Sequence, residues 1–212
     1  MRQTPHLADL TLSQHLTYRT AKIRLPFRLL LCSVAAALTL SAATGRSNWV
    51  IDPRKTKISF AVDATGWPKT VGVFHEFDGK IIVDFDKPRQ SRVTFTVRTG
   101  SVDVGSDLLV ALIRSSAFFN SDKFPEETFA STEIEKTSAK TVRVTGNMTV
   151  LGVTHPETFN VIVEAGLAEN GRLGYKAVGT FNRSKYGMTT GIPVIDDAVG
   201  IEITTEQYEQ PN

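Results

Sequence analysis

The sequence predicts an all-β protein, an antiparallel barrel or sandwich of about eight strands, from three observations. Apolar residues alternate with polar ones at period two along most of the chain after residue 48. Turn-forming pairs punctuate those runs at Asp78-Gly79, Asp86-Lys87-Pro88, His155-Pro156 and Asn170-Gly171. Only Ser106 to Phe119 breaks the rhythm, with Leu108, Leu109, Leu112 and Ile113 at helical spacing and no Gly or Pro.

The expected strands follow in order. The first covers Trp49 to Asp52. In the second, Ile58, Phe60 and Val62 alternate with Lys57, Ser59 and Ala61, and in the third Ile81, Val83 and Phe85 alternate with Lys80, Ile82 and Asp84. Val93, Phe95 and Val97 alternate with Arg92, Thr94, Thr96 and Arg98 in the fourth. Val142, Val144, Met148 and Val150 line one face of the fifth, and further strands are expected over Thr158 to Glu164, Leu173 to Asn182 and Val199 to Glu206. Each has one dry and one wet face, as an antiparallel sheet around a core requires. The helical segment leads into Phe118-Phe119, Phe124-Pro125 and Phe129, and is expected to lie across an open end as a lid or plug.

The front of the chain reads differently. Arg19, Lys22, Arg24 and Arg28 precede the apolar run Leu29 to Leu40, which ends in Ser41, Ala42 and Ala43. A positive flank, a short apolar core and a small-residue exit form a secretory signal, and the run is shorter than the roughly 20 residues a membrane span needs. Residues 1–43 are therefore expected to be a cleaved signal peptide and 44–212 one exported domain. Cleavage changes the formal charge from +2 to −2, with 19 basic against 21 acidic residues remaining. No basic run is left to track nucleic-acid phosphates. Cys32, the chain's one cysteine, leaves with the signal, so the exported domain must be stable without disulfides.

The residues then resemble the YceI-like domain family. The resemblance begins at Trp49-Val50-Ile51-Asp52 and Ile58-Ser59-Phe60, and continues through Gly72-Val73-Phe74, Phe77-Asp78-Gly79 and Ser101-Val102-Asp103. It is strongest over Arg114-Ser115-Ser116-Ala117-Phe118-Phe119-Asn120, Phe124-Pro125 and Phe129-Ala130-Ser131. Gly146 to Val150, Gly152-Val153-Thr154, Arg183 to Met188 and Val194 to Ile203 complete it. It implies a lipocalin-like, eight-stranded antiparallel barrel that holds an isoprenoid or other long amphiphilic lipid in the periplasm. A barrel of about eight strands is either filled by its side chains or just roomy enough for one ligand. The residues expected to line such a cavity are Phe60, Val62, Phe74, Phe95, Phe118, Phe119, Met148, Phe181, Tyr186 and Met188. Arg183, at the end of an expected strand, is a candidate clamp for a polar head group, with a rim salt bridge or backbone cap as the alternative.

The chain also departs from the family's commoner pattern. Lys55-Thr56 stands where many members have a His-Ser pair, Ala64 where another His often follows, and Leu112-Ile113 in the place of a His-Leu pair. If those polar residues touch a head group in other members, this protein takes a different one or none.

Catalysis is not expected. After the signal the chain holds two histidines, His75 and His155, without the spacing of a metal site. Ser115, Ser116 and Ser184 lack a nucleophile-elbow pattern, and no Gly-rich phosphate loop is present. Asp196-Asp197 reads as a turn or strand-start feature rather than an acid/base pair. The expected activity is thus non-catalytic carriage or storage of a lipid, with transient membrane contact, no cofactor and no nucleic-acid partner, as a monomer or homodimer. The alternatives are an enzyme or enzyme-associated factor acting on a quinone-like or ester substrate, and a filled barrel that binds another protein.

Overall fold

The computed structural model describes residues 47–84, 87–163 and 174–205. Residues 1–43, expected to be a signal peptide, Phe85, Asp86, Glu164, the expected turn at Asn170-Gly171, Leu173 and Glu206 lie outside the described residues.

The strands are β1 (Ser47–Val50), β2 (Thr56–Ala64), β3 (Trp67–Phe74), β4 (Phe77–Val83), β5 (Arg92–Arg98), the two-residue β6 (Val102–Asp103), β7 (Glu126–Lys136), β8 (Thr141–Val150), β9 (Val153–Val163), β10 (Tyr175–Asn182) and β11 (Ile195–Thr205). The single α-helix among the described residues, α1 (Asp107–Arg114), follows β6. All strands form one antiparallel sheet in the order β1-β4-β5-β7-β8-β9-β10-β11-β2-β3-β6. The sheet curls into a lipocalin-like half-barrel. β3 and β4 lie near opposite ends of that order, yet only His75 and Glu76 join them, a link that spans on the order of 10 Å. The two ends of the sheet are therefore drawn together. The Arg98 amide donates to the Glu76 carbonyl (2.9 Å) and the His75 amide to the Ser101 carbonyl (3.3 Å), which ties the seam at that end. Along the rest of β3 the seam stays open, because β6 pairs only with Val73 and Phe74.

Ten strands of four or more residues, plus β6, replace the expected eight. The two long strands that the alternation did not reveal are β3 and β7. Pro68 and Gly72 disguise β3, yet Pro68 lies on its open edge, where no ladder partner needs its missing N–H. β7 carries Glu126, Glu127, Glu133 and Glu135, which lower strand propensity, and Ile134 is its one fully buried residue. Two expected turns are strand interior instead. Asp78 and Gly79 pair with Thr96 and Phe95, and His155 and Pro156 pair with Met148 and Asn147. The β8–β9 reversal is made by Leu151 (φ 51°) and Gly152 (φ 77°), the left-handed pair that matches the twist of a tight hairpin.

The helix is shorter than its apolar pattern. The Ser115 hydroxyl (2.6 Å) and amide (3.1 Å) both donate to the Leu112 carbonyl and end it after Arg114. Phe118 and Phe119 leave the helix, and the Phe119 ring packs edge-on against Phe60 and Phe74, with centroids 6.0 and 5.7 Å away. Of the helix's apolar residues only Ile113 is buried, whereas Leu108 is 81% exposed.

Candidate functional site

The inward faces of the strands border two adjacent spaces. The larger is a cavity of about 840 Å³ lined from β2, β3 and β5, α1 and the Phe118-Phe119 turn, β7 to β11, and the loop after Tyr186. That size lies within the range of pockets that bury a small molecule. The smaller, about 220 Å³, lies toward Ile81, Ile134, Val144 and Tyr175. Phe95, Phe129, Phe159 and Ile203 line both and partition them. Within that partition Phe129 and Phe159 meet edge to face at 5.1 Å between centroids.

Open volume survives among so many aromatic rings because glycines on adjacent strands receive them. Phe60 pairs with Gly72 and Phe159 with Gly179 in the ladders, and a Cβ at either glycine would fall within 2.6 Å of the facing ring. Gly79 accommodates Ile51 and Phe95 in the same way, which is why an Asp-Gly pair sits in mid-strand there. Rings held flat against the wall leave the lumen free.

Ten of the eleven residues predicted from sequence to contact a ligand line the larger cavity: Phe60, Val62, Phe74, Phe95, Phe118, Phe119, Met148, Phe181, Arg183 and Met188. Tyr186 does not. It is buried (1% exposed) behind the wall, where its hydroxyl donates to Glu157 Oε1 (3.1 Å) and its ring meets His155 and Phe181 edge-on.

Arg183 borders the cavity but spends its guanidinium on the chain. Nε donates to the Asp196 carbonyl (2.8 Å), Nη1 to those of Met188 and Thr190 (2.9 Å each) and Nη2 to that of Ile195 (2.8 Å). Four of its five N–H groups thus hold the 188–196 loop that forms part of the wall. Burial lowers its pKa from the ordinary value, and Asp197 and Asp196 oppose that shift. Asp197, by contrast, accepts from the Ser184 amide and hydroxyl at 2.7 Å each, and these bonds hold its pKa below the usual carboxylate range. The Asp196-Asp197 pair is therefore a clasp on the Arg183 turn.

The mouth lies between the open stretch of β3 and α1. Trp67, Val71, Leu109, Leu112 and Val194 line the cavity and also face solvent, with Trp67 74% exposed. Ala64 and Leu112, two positions at which the sequence departs from an expected His, both lie along the cavity wall. Lys69, also at the mouth, is paired with Asp63 at 3.0 Å.

Sequence reasoning passed over Glu127. On β7 it shares the inward face with Phe129, two residues on, and it lines the larger cavity. Its Oε1 accepts from the Leu151 amide at 3.2 Å, while Oε2 is buried without a hydrogen-bond partner. Burial pushes its pKa up from an ordinary 4.5 to about 8, against the smaller opposing effect of the Leu151 N–H. The period-two rule would have placed Glu127 inside once β7 was recognised as a strand.

A carboxyl that holds its proton more tightly when folded contributes most to stability below its unfolded pKa. That contribution is lost as pH rises from about 4.5 toward 8. Glu127→Gln, which cannot titrate, should therefore match the wild type in urea unfolding near pH 4 and exceed it above about pH 8. Parallel stability profiles for the two proteins across that interval would count against a buried, proton-retaining Glu127.

The sequence and fold place the molecule among antiparallel half-barrels with an apolar lumen. Residues 49–207 match the YceI-like domain model, and the chain belongs to that family. It is 30% identical over 192 residues to a UPF0312 protein of Enterobacter sp. (strain 638), covering 86% of this chain and 97% of the relative. It is 31% identical over 160 residues to protein YceI of Salmonella arizonae, covering 72% and 81%. Among solved structures, Burkholderia cenocepacia BcnA superposes with a TM-score of 0.67 at 24% identity, over 72% of this chain and 96% of that one. A polyisoprenoid binding domain from Saccharophagus degradans, implicated in plant cell wall breakdown, superposes with a TM-score of 0.55 at 13% identity, over 75% and 96%.

Proposed function

We propose that the protein is an exported, non-catalytic carrier or store that holds an isoprenoid or other long amphiphilic lipid in the larger chamber. The observation that carries this reading is the cavity of about 840 Å³ walled by Phe60, Phe74, Phe95, Phe118, Phe119 and Phe181. An apolar space of that size in water gains by exchanging its contents for a lipid tail, at roughly 25 cal/mol per Å² of apolar surface removed from water. Membership of the YceI-like family and the likeness to a polyisoprenoid binding domain support the same class of ligand. Exposed Trp67, Val71 and Leu112 beside the mouth suit transient contact with a lipid surface during loading. The signal-like pattern from Arg19 to Ala43 supports export.

The test is mass spectrometry of organic extracts from protein recovered gently from the periplasm. The expected result is a stoichiometric amphiphilic lipid on a chain whose N-terminus lies near Thr44. Recovery of a lipid-free protein from lipid-replete cells would overturn the carrier reading. An intact Met1 on a membrane-bound form would overturn export with cleavage.

A further inference from the structure

Among the described residues the larger chamber is lined by three charged side chains, Lys69, Glu127 and Arg183, and by the hydroxyls of Thr70 and Thr128, and is otherwise apolar. Lys69 is at the mouth and paired with Asp63, and Arg183 is committed to four backbone carbonyls of its own loop. Neither is placed to meet an anionic group deep in the lumen. Glu127 differs, because one of its oxygens is occupied by the Leu151 amide and the other is buried and unpartnered. A buried polar atom left without a partner is costly, and native structures seldom carry one without a use.

We propose that the Glu127 carboxyl is a polar anchor inside the chamber, donating a hydrogen bond to the carbonyl, ester or ether oxygen of an uncharged amphiphile. The inference rests on the lipid-holding reading above and adds the chemistry of the ligand's polar group. A carboxylic acid has one O–H to give. With Oε1 accepting from Leu151, the proton sits on Oε2, the unpartnered oxygen, and a neutral acceptor in the ligand completes the pair. A phosphate or carboxylate in the same place would have to enter an apolar chamber with no free cation to meet it, a desolvation that a single neutral donor does not offset. The elevated pKa of Glu127 agrees with the geometry, since the acid form is the one that donates. Tyr186, which interacts electrostatically with Glu127, has its hydroxyl directed to Glu157 and packs edge-on against His155. These groups and Arg183 are the neighbours whose titration must be separated from that of Glu127.

The experiment titrates the purified protein with three probes: farnesylacetone, the hydrocarbon in which a CH₂ replaces its C=O, and farnesyl phosphate. Wild type near neutral pH should bind the ketone about five- to tenfold more tightly than the hydrocarbon, the scale of one hydrogen bond in an apolar site. That preference should fade as pH rises through about 8. Glu127→Leu should erase the preference while retaining the hydrocarbon. Glu127→Gln, whose amide N–H still donates, should keep the preference and lose its pH dependence, which separates Glu127 from Tyr186, Glu157, His155 and Arg183. Equal binding of ketone and hydrocarbon by wild type, an unchanged preference in a folded Glu127→Leu variant, or tighter binding of farnesyl phosphate than of the ketone would each overturn the anchor while leaving the lipid-holding chamber intact. Failure of both ketone and hydrocarbon to bind wild type would instead overturn the chamber reading, and the anchor with it.

Discussion

Replacing Arg183 with methionine should lower the unfolding free energy by about 3 kcal/mol, read from urea unfolding. The side chain is 2% exposed, and its flat guanidinium reaches four carbonyls, those of Met188, Thr190, Ile195 and Asp196, at 2.8 to 2.9 Å. Methionine fills much of the space but donates nothing, so the carbonyls that stay buried lose their partners. Arg183→Lys should recover only part of the loss, because one ammonium cannot reproduce the spread of a three-nitrogen fork. The loop so held carries Met188, Gly191, Val194 and Ile195 along the cavity wall, so ligand retention should fall in both variants. A loss below about 1 kcal/mol for the methionine variant would mean that the loop holds its shape without the guanidinium.

Two glycine substitutions should separate the wall of the barrel from its lumen. A Cβ added at Gly146 would lie 2.5 Å from the Ala130 carbonyl oxygen and 2.5 Å from Phe129 Cζ. Because the first of these is strand backbone, the β7–β8 ladder must give, and Gly146→Ala should cost about 2–3 kcal/mol. At Gly72 the Cβ would meet the Phe60 ring at 2.3 Å and Val104 Cγ1 at 3.0 Å, both side-chain atoms beside the cavity. The ring can swing into the open chamber, so Gly72→Ala should cost less stability but reduce the volume left for ligand. The paired measurement is urea unfolding and co-purifying lipid for each variant. If Gly72→Ala destabilises as much as Gly146→Ala and its lipid content is unchanged, the seating of Phe60 over Gly72 is not what keeps the lumen free.

Much of the wall was legible in the chain because period-two alternation reports which face of a strand is dry, and dryness needs no knowledge of the partner strand. Phe60, Phe95, Met148 and Phe181 all reach the larger cavity by that rule alone. The rule failed where local chemistry and tertiary placement pull apart. Pro68 and Gly72 argue against a strand, but an open edge tolerates the proline and the Phe60 ring occupies the space over the glycine. The glutamates of β7 argue for a solvated segment, yet pairing with β5 and β8 makes it a strand and turns Glu127 inward.

The sequence by itself therefore determined the antiparallel β class, the family and the identity of most inward-facing apolar residues, since these follow from the order and spacing of side chains along one strand at a time. The tertiary structure decided that ten long strands rather than eight form the half-barrel and that the lumen is open rather than filled. It also decided that Arg183 serves the backbone of its own loop and that Glu127 keeps one buried oxygen without a partner beside the lumen. Those outcomes depend on which atoms from distant segments meet. A free cavity is what remains after rings such as Phe60 and Phe159 settle over glycines on neighbouring strands, and an arginine's role is set by the carbonyls that surround it.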